Sequence, residues 1–328
     1  RYIDQGNIFS LKNDPDAGKV GRLLYFLSQI KLSITYYLFK LFLPLNLNFE
    51  PDMHLGFMNW EFVFAVGVFG LGTIIVYRHN SPLLQFAVLW FVITLLPTSS
   101  IIPLKQLVTE HRIYLPSLGF SLALGWLFLS VHRTVIVTTS LLLVFLALVF
   151  LLTVNRSLDY RSEISLWKDT ADKSPNKALV HNNLAYAYMG AKMLPEAEQE
   201  LAVTLQLNPT QSAAYANLGH IYFQQENLEQ SIEAFARAID LGSEKPDTYY
   251  FSGLAWSKQG VYLEAIPLLR RAVSMSPHKS HYHFDLGNAY QHARSFDEAL
   301  LEFRQTLQIQ PEHPQAQNNI GVIFWNLK

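Results

Sequence analysis

"HNNLAYAYMGAKMLPEAEQELAVTLQLNP" (His181–Pro209) returns in altered form every 34 residues through the second half of the chain. Prolines close the unit at Pro175, Pro209, Pro277 and Pro311, and Ser243 stands where the remaining one falls. Small residues recur at Ala185, Gly219, Gly253, Gly287 and Gly321, and again at Ala197, Ser231, Ala265 and Ala299. Between them run Leu184, Leu218, Leu286 and Ile320, with Ser252 departing from the pattern, and then Tyr188, Tyr222, Trp256, Tyr290 and Phe324. Two amphipathic stretches per period, each with a small residue on its apolar stripe, predict two helices that pack closely against each other.

A helical pair repeated at 34 residues is the tetratricopeptide pattern, and stacked pairs make an α-solenoid. Upstream, "RSEISLWKDTADKSP" (Arg161–Pro175) reads as a lone second helix, with Trp167 in register with Leu201, Phe235, Leu269 and Phe303. Residues 157–328 are therefore expected to hold a half repeat, four full repeats and a truncated fifth, the half repeat capping the solenoid and joining it to the preceding segment with almost no linker. One face position stands out. Just before the position held by Leu184, Leu218, Ser252, Leu286 and Ile320 come Asn183, Asn217, Phe251, Asp285 and Asn319. Side-chain amides both donate and accept, so Asn183, Asn217, Asp285 and Asn319 could grip the backbone of a bound peptide. The same residues could instead bond the neighbouring repeat, and the sequence leaves both uses open.

The first half is built differently. The 328-residue chain is 50% hydrophobic and 16% charged, with a mean hydropathy of +0.14, and the apolar excess is concentrated between residues 23 and 154. Four stretches approach the ~20 residues that a membrane span needs: Trp60–Tyr77, Leu83–Ile102, Leu115–Val131 and Thr134–Val154. The alternative is four core helices of a large water-exposed protein, but the polar residues are too few for such an exterior. A further segment, residues 23–45, is long enough to span yet carries Gln29, Lys31 and Lys40, so it either crosses or lies along the interface. The expected organisation is 1–59 as an interfacial segment, 60–156 as a four-span domain and 157–328 as the solenoid: an all-α, multispan helical membrane protein with a tetratricopeptide α-solenoid. Four crossings put the 46–59 loop, the 103–116 loop and the repeats on one side. Lys and Arg tie between sides; Glu50, Asp52 and Glu110 favour placing the repeats on the extracytoplasmic side.

"LLPTSSIIPLKQLVTEHRIYLPSLGF" (Leu95–Phe120) sets Lys105, Glu110, His111 and Arg112 between two apolar runs. With "NDPDA", "LFLPLNLNFEPDM" and "NRSLDYRSEISLWKDTADKSPNKALVHNNLAYAY", it resembles the transmembrane and tetratricopeptide-repeat-containing O-mannosyltransferases and their bacterial relatives, of the C-type glycosyltransferase superfamily. The resemblance spans nearly the whole chain, and its specific parts are the Pro-Thr-Ser and "EHRIYLPSLGF" segments. It implies transfer of a sugar, mannose in that family, from a polyprenyl-phosphate donor to protein outside the cytoplasm, the repeats holding the acceptor polypeptide. That family's acidic catalytic motif lies upstream of anything present here, so the catalytic residues stay unknown. A lipid phosphate at the interface calls for fixed cations. Arg112 would fork onto its oxygens, Lys105 would add charge, His111 a further bond, and Glu110 would hold Arg112. The same cations could simply anchor span ends.

A net charge of −1 gives nucleic acid no electrostatic footing. No cysteine is present, which removes disulfides and thiolate metal sites. "HKSHYHF" offers His278, His281 and His283, but it opens a repeat where polar residues are expected, so no metal site is assigned. Glu50 and Asp52 read as solvated, and no phosphate-cradling glycine loop or nucleophile motif occurs. The chain opens "RYIDQGNIFS" and closes "GVIFWNLK" inside a repeat, so it is expected to continue beyond both ends. Two functions remain: part of a membrane glycosyltransferase, or a membrane-anchored scaffold without catalysis.

Overall fold

A computed structural model describes residues 39–42, 47–49, 60–95, 114–131 and 135–327, and every regular element among them is an α-helix. Two compact units emerge, Arg1–Pro175 and Asn176–Lys328.

The first unit contains α1 (Trp60–His79), α2 (Pro82–Leu95), α3 (Tyr114–Val131), α4 (Val135–Asp159) and α5 (Glu163–Lys173), with one isolated helical turn at Phe39–Phe42. The described part of each of the four apolar stretches is thus helical; residues 96–102, Thr134 and most of 23–45 lie outside the described residues. The α1–α2 turn is tight because Asn80 takes a left-handed φ of 42° and Pro82 starts α2, where its missing N–H costs nothing.

α2 and α3 pack backbone to backbone. A Cβ on Gly119 would lie 2.4 Å from the Ala87 carbonyl oxygen and 3.0 Å from the Phe91 nitrogen, so only glycine permits the contact. Trp90 Nε1 donates to the Leu115 carbonyl at 3.0 Å, which satisfies the indole. Hydroxyls within these helices turn back onto their own backbones: Thr94 to Trp90 O, Ser121 to Ser117 O, Ser130 to Trp126 O and Thr153 to Val149 O. Each hydroxyl is thus satisfied within its own helix.

Among the described residues one helical stretch, Thr139–Asp159, is long and apolar enough to cross a membrane, and none of its apolar window is buried. The stretches Pro82–Thr94 and Leu115–Phe128 are apolar but shorter. Ile136, Val144, Phe150 and Leu151 stand out from α4 with 64–80% of their surface exposed.

The exit from α4 is held by charge. Arg156 Nη1 donates to Asp159 at 2.8 Å and to Asp169 at 2.6 Å, while Lys173 reaches Asp169 at 2.6 Å. Ser162 caps α5 through reciprocal bonds with Ser165. Trp167, in register with the large residue of each second helix, meets the Phe49 ring at 5.3 Å. Beside it Asn48 Nδ2 donates to Ser174 Oγ at 2.8 Å and Lys173 Nζ to the Leu47 carbonyl at 2.7 Å. Residues 47–49 thus meet α5 and its C-terminal cap at Trp167, Lys173 and Ser174. The division between units falls after Pro175, and α5 lies in the first unit.

The second unit is four helical hairpins and a last single helix: α6 (Ala178–Gly190) with α7 (Leu194–Leu207), α8 (Ser212–Gln224) with α9 (Leu228–Asp240), α10 (Pro246–Lys258) with α11 (Tyr262–Met275), α12 (Ser280–His292) with α13 (Phe296–Ile309), then α14 (Pro314–Asn326). Each hairpin turn uses one left-handed residue at the same register: Lys192, Glu226, Gly260 and Arg294, φ 60–80°. The next residue then donates back to the aromatic position, as Asn227 N does to Tyr222 O at 2.9 Å.

The small residues do what their spacing implied. A Cβ on Gly219 or Gly287 would sit 2.7 Å from the rings of Phe235 and Phe303, and on Gly253 2.7 Å from Leu269. Gly321, whose repeat has no second helix in this chain, meets nothing within 4 Å. Ser243 is also explained. α9 ends on left-handed Gly242, and Ser243 N–H donates to the Ala238 carbonyl at 3.0 Å. A proline there has no N–H to give.

Candidate inner-face site

First helices of successive repeats touch one another, α6 with α8, α8 with α10 and α10 with α12, more than second helices do. The first helices therefore line the inner side of this unit, and their facing residues are the candidate binding surface.

The asparagine row lies on that side, but most of it is already bonded between repeats. Asn217, buried, donates to Asn182 Oδ1 at 3.1 Å. Asp285 accepts from Tyr250 Oη at 2.6 Å, and Asn319 donates to Asn288 Oδ1 at 2.9 Å. Asn183, half-buried, has no side-chain partner among the described residues. Each committed group spends one bond on its neighbour, and a net bond of this kind is worth ~0.5–1.5 kcal/mol.

Phe251 interrupts the row, and the junction between the second and third repeats is aromatic instead. His220 meets Phe251 with ring centroids 4.5 Å apart and Phe223 meets it at 5.5 Å. Lys258 Nζ lies 4.8 Å over Phe223. Burial pushes the His220 pKa down to about 4, against the opposing field of Asp247, so this ring is neutral at pH 7.

The next junction is polar. Tyr250 and Tyr282 stack at 4.4 Å, Tyr282 Oη donates to Asp247, and Lys279 Nζ reaches both Asp247 and Tyr282 Oη at 2.9 Å. Burial opposes the Asp247 charge, but the Tyr282 and Lys279 bonds outweigh it and hold the carboxyl below its usual range. Burial pushes Asp285 upward, and burial together with Asp285 drives Tyr250 well above the usual phenol value. The repeating offset of 35 residues, Asn182 to Asn217, Asp247 to Tyr282 and Tyr250 to Asp285, is the signal that marks these pairs in the sequence.

Family models described as "TPR repeat" and "Tetratricopeptide repeat" match residues 219–260 and 258–319. The second unit carries tetratricopeptide repeats. No curated protein matches the chain. Among solved structures, YrrB, described as a TPR protein with an unusual peptide-binding site, is 24% identical; the match covers 49% of this chain and 82% of that one, with a TM-score of 0.47. MamA is 27% identical, over 45% of this chain and 87% of that one, at a TM-score of 0.42. MamA from Desulfovibrio magneticus RS-1 is 17% identical, over 48% and 92%, at 0.43.

Within the tetratricopeptide unit the three histidines of "HKSHYHF" part company. His278 is exposed, His281 lies against Tyr250 and Tyr282, and His283 bonds Glu302. No group of His, Asp and Glu that could hold a metal ion occurs among the described residues. Lys105, Glu110, His111 and Arg112 lie outside the described residues.

Proposed function

We propose that the tetratricopeptide unit holds an extended polypeptide along its inner face while the apolar unit anchors it in a membrane. The carrying observation is the break in the polar row at Phe251. There an aromatic patch of Phe223, Phe251 and neutral His220 offers an apolar anchor point, flanked by amides with bonding capacity left over. Aromatic anchors ringed by polar contacts are how interfaces concentrate binding energy. The test uses peptides selected from a display library against the full chain in detergent micelles. Phe251→Ala should weaken a selected peptide at least ~10-fold, a hot-spot loss, with the helical circular dichroism retained. Asn183→Ala should cost only a few-fold. Unchanged affinity in Phe251→Ala would move the partner off this face.

A second reading, transfer of a sugar from a polyprenyl-phosphate donor to the held polypeptide, rests on the resemblance carried by "LLPTSSIIPL" and "EHRIYLPSLGF". The Trp90–Leu115 bond holds the C-terminal half of α2 beside the start of α3, the two helices that flank the 96–113 segment. On this reading the donor side is extracytoplasmic, Arg112 and Lys105 hold the phosphate, and His111 and Glu110 assist. In the intact gene product Arg112→Ala should lower transfer from a lipid-linked sugar roughly 10- to 100-fold, the worth of one charge-assisted bond. Arg112→Lys should recover part of it. Normal transfer by Arg112→Ala would leave the arginine an interfacial anchor.

A further inference from the structure

His181 and His283 stand three repeat lengths apart, and each points Nδ1 at a glutamate on its own second helix: Glu200 and Glu302, both at 2.6 Å. Beneath each pair lies a fully buried threonine, Thr204 and Thr306. The second and third repeats carry none of this. Their equivalents are Tyr215 and Tyr249, Ala234 and Leu268, Ala238 and Ala272. Three positions change together, on two helices, in alternate versions of one motif.

The bonding around His283 fixes its charge. Nδ1 faces the Glu302 carboxylate, and Nε2 faces the Pro277 carbonyl at 3.0 Å. Both partners accept and neither donates, so both ring nitrogens must carry a proton, and the ring is an imidazolium. In the third repeat Tyr249 Oη donates to the equivalent carbonyl, that of Ser243, at 3.1 Å and needs no charge to do so. We propose that the fourth repeat is closed by a proton-dependent imidazolium–carboxylate clasp between His283 and Glu302, so that the packing of α12 on α13 loosens as pH rises, while the second and third repeats do not respond.

Other charges near His283 are engaged elsewhere. On its own helix Asp285 and His281 face Tyr250. On α10 Asp247 is bound by Lys279 and Tyr282. On α11 Arg270 acts on Tyr290, as does Glu298 from α13. Glu302 is the group that acts on the ring, and its hydrogen bond, against the cost of burial, raises the His283 pKa above 6.5. A raised histidine value stabilises the fold fully below about 6.5, and the contribution is lost as pH climbs through the folded value.

Two measurements on the full chain in micelles test this. In a ring-carbon NMR titration His283 should stay charged to a pH above 6.5. Thermal unfolding of the wild type should fall in midpoint as pH rises from 6 to 9, and H283Y/E302L, which copies the third repeat, should flatten that fall. A His283 ring that titrates at or below 6.5 overturns the proposal even if the double variant does not fold. So does an equal pH dependence in the folded double variant.

Discussion

Phe303→Ala is expected to cost about 3–5 kcal/mol of stability, the range for emptying a buried phenylalanine site. Phe303 is fully buried, touches Phe284 at 5.8 Å, and shares a core with Ala299, Ala316 and Ile323, so its loss opens the fourth repeat to both neighbours. Denaturant unfolding of the full chain, followed by helical circular dichroism, should show the repeat transition at much lower denaturant. The complementary change is Gly287→Ala. Its new Cβ would meet the ring at 2.7 Å and cost about 1–3 kcal/mol by overpacking. Phe303→Leu in the same chain should recover part of that loss, because the first repeat already pairs Ala185 with Leu201, both fully buried. Simple addition of the two single costs in the double variant would mean that Gly287 is not there for the ring.

Gly119→Leu should separate α2 from α3. The obstacle is backbone, the Ala87 carbonyl oxygen at 2.4 Å and the Phe91 nitrogen at 3.0 Å, so no side-chain rotation relieves it. The chain has no cysteine of its own, which makes crosslinking clean. Cysteines placed at positions 90 and 115, where Trp90 Nε1 meets the Leu115 carbonyl, should join through a short bifunctional maleimide in the parent chain and fail to in Gly119→Leu. Equal crosslinking would show that the pair tolerates a bulky residue and that the close approach is not what holds it. On the glycosyltransferase reading the same substitution should also abolish transfer, since it would part the two helices that flank the Arg112 segment.

Much of the fold is legible because it rests on local rules. A 34-residue period with small residues at two fixed places demands helical pairs, and the left-handed residues of each hairpin turn recur at that same period whether they are Lys192, Glu226, Gly260 or Arg294. The apolar run of α4 is legible too, since residues Leu141–Leu152 include no polar side chain. The lipid-phosphate expectation at Lys105, Glu110, His111 and Arg112 rests on resemblance alone. Covering Trp167 with Phe49 could not be foreseen, because the two stand more than a hundred residues apart and no period links them.

The sequence by itself determined which side chains share the inner face, since register on a helix is set by residue spacing. Tertiary structure decided what those side chains do there. Neighbouring repeats are offset so that a side chain meets the residue 35 positions away rather than 34. That one-residue offset turns Asn217 onto Asn182 and Tyr250 onto Asp285, closing bonds that spacing alone left open to a bound peptide. Asn319 meets Asn288 instead. It also leaves Phe251, which can make no such bond, in ring contact with His220 and Phe223. A hydrogen bond needs its partner within about 3 Å and correctly aimed, and only the packing of one repeat on the next sets a distance that fine.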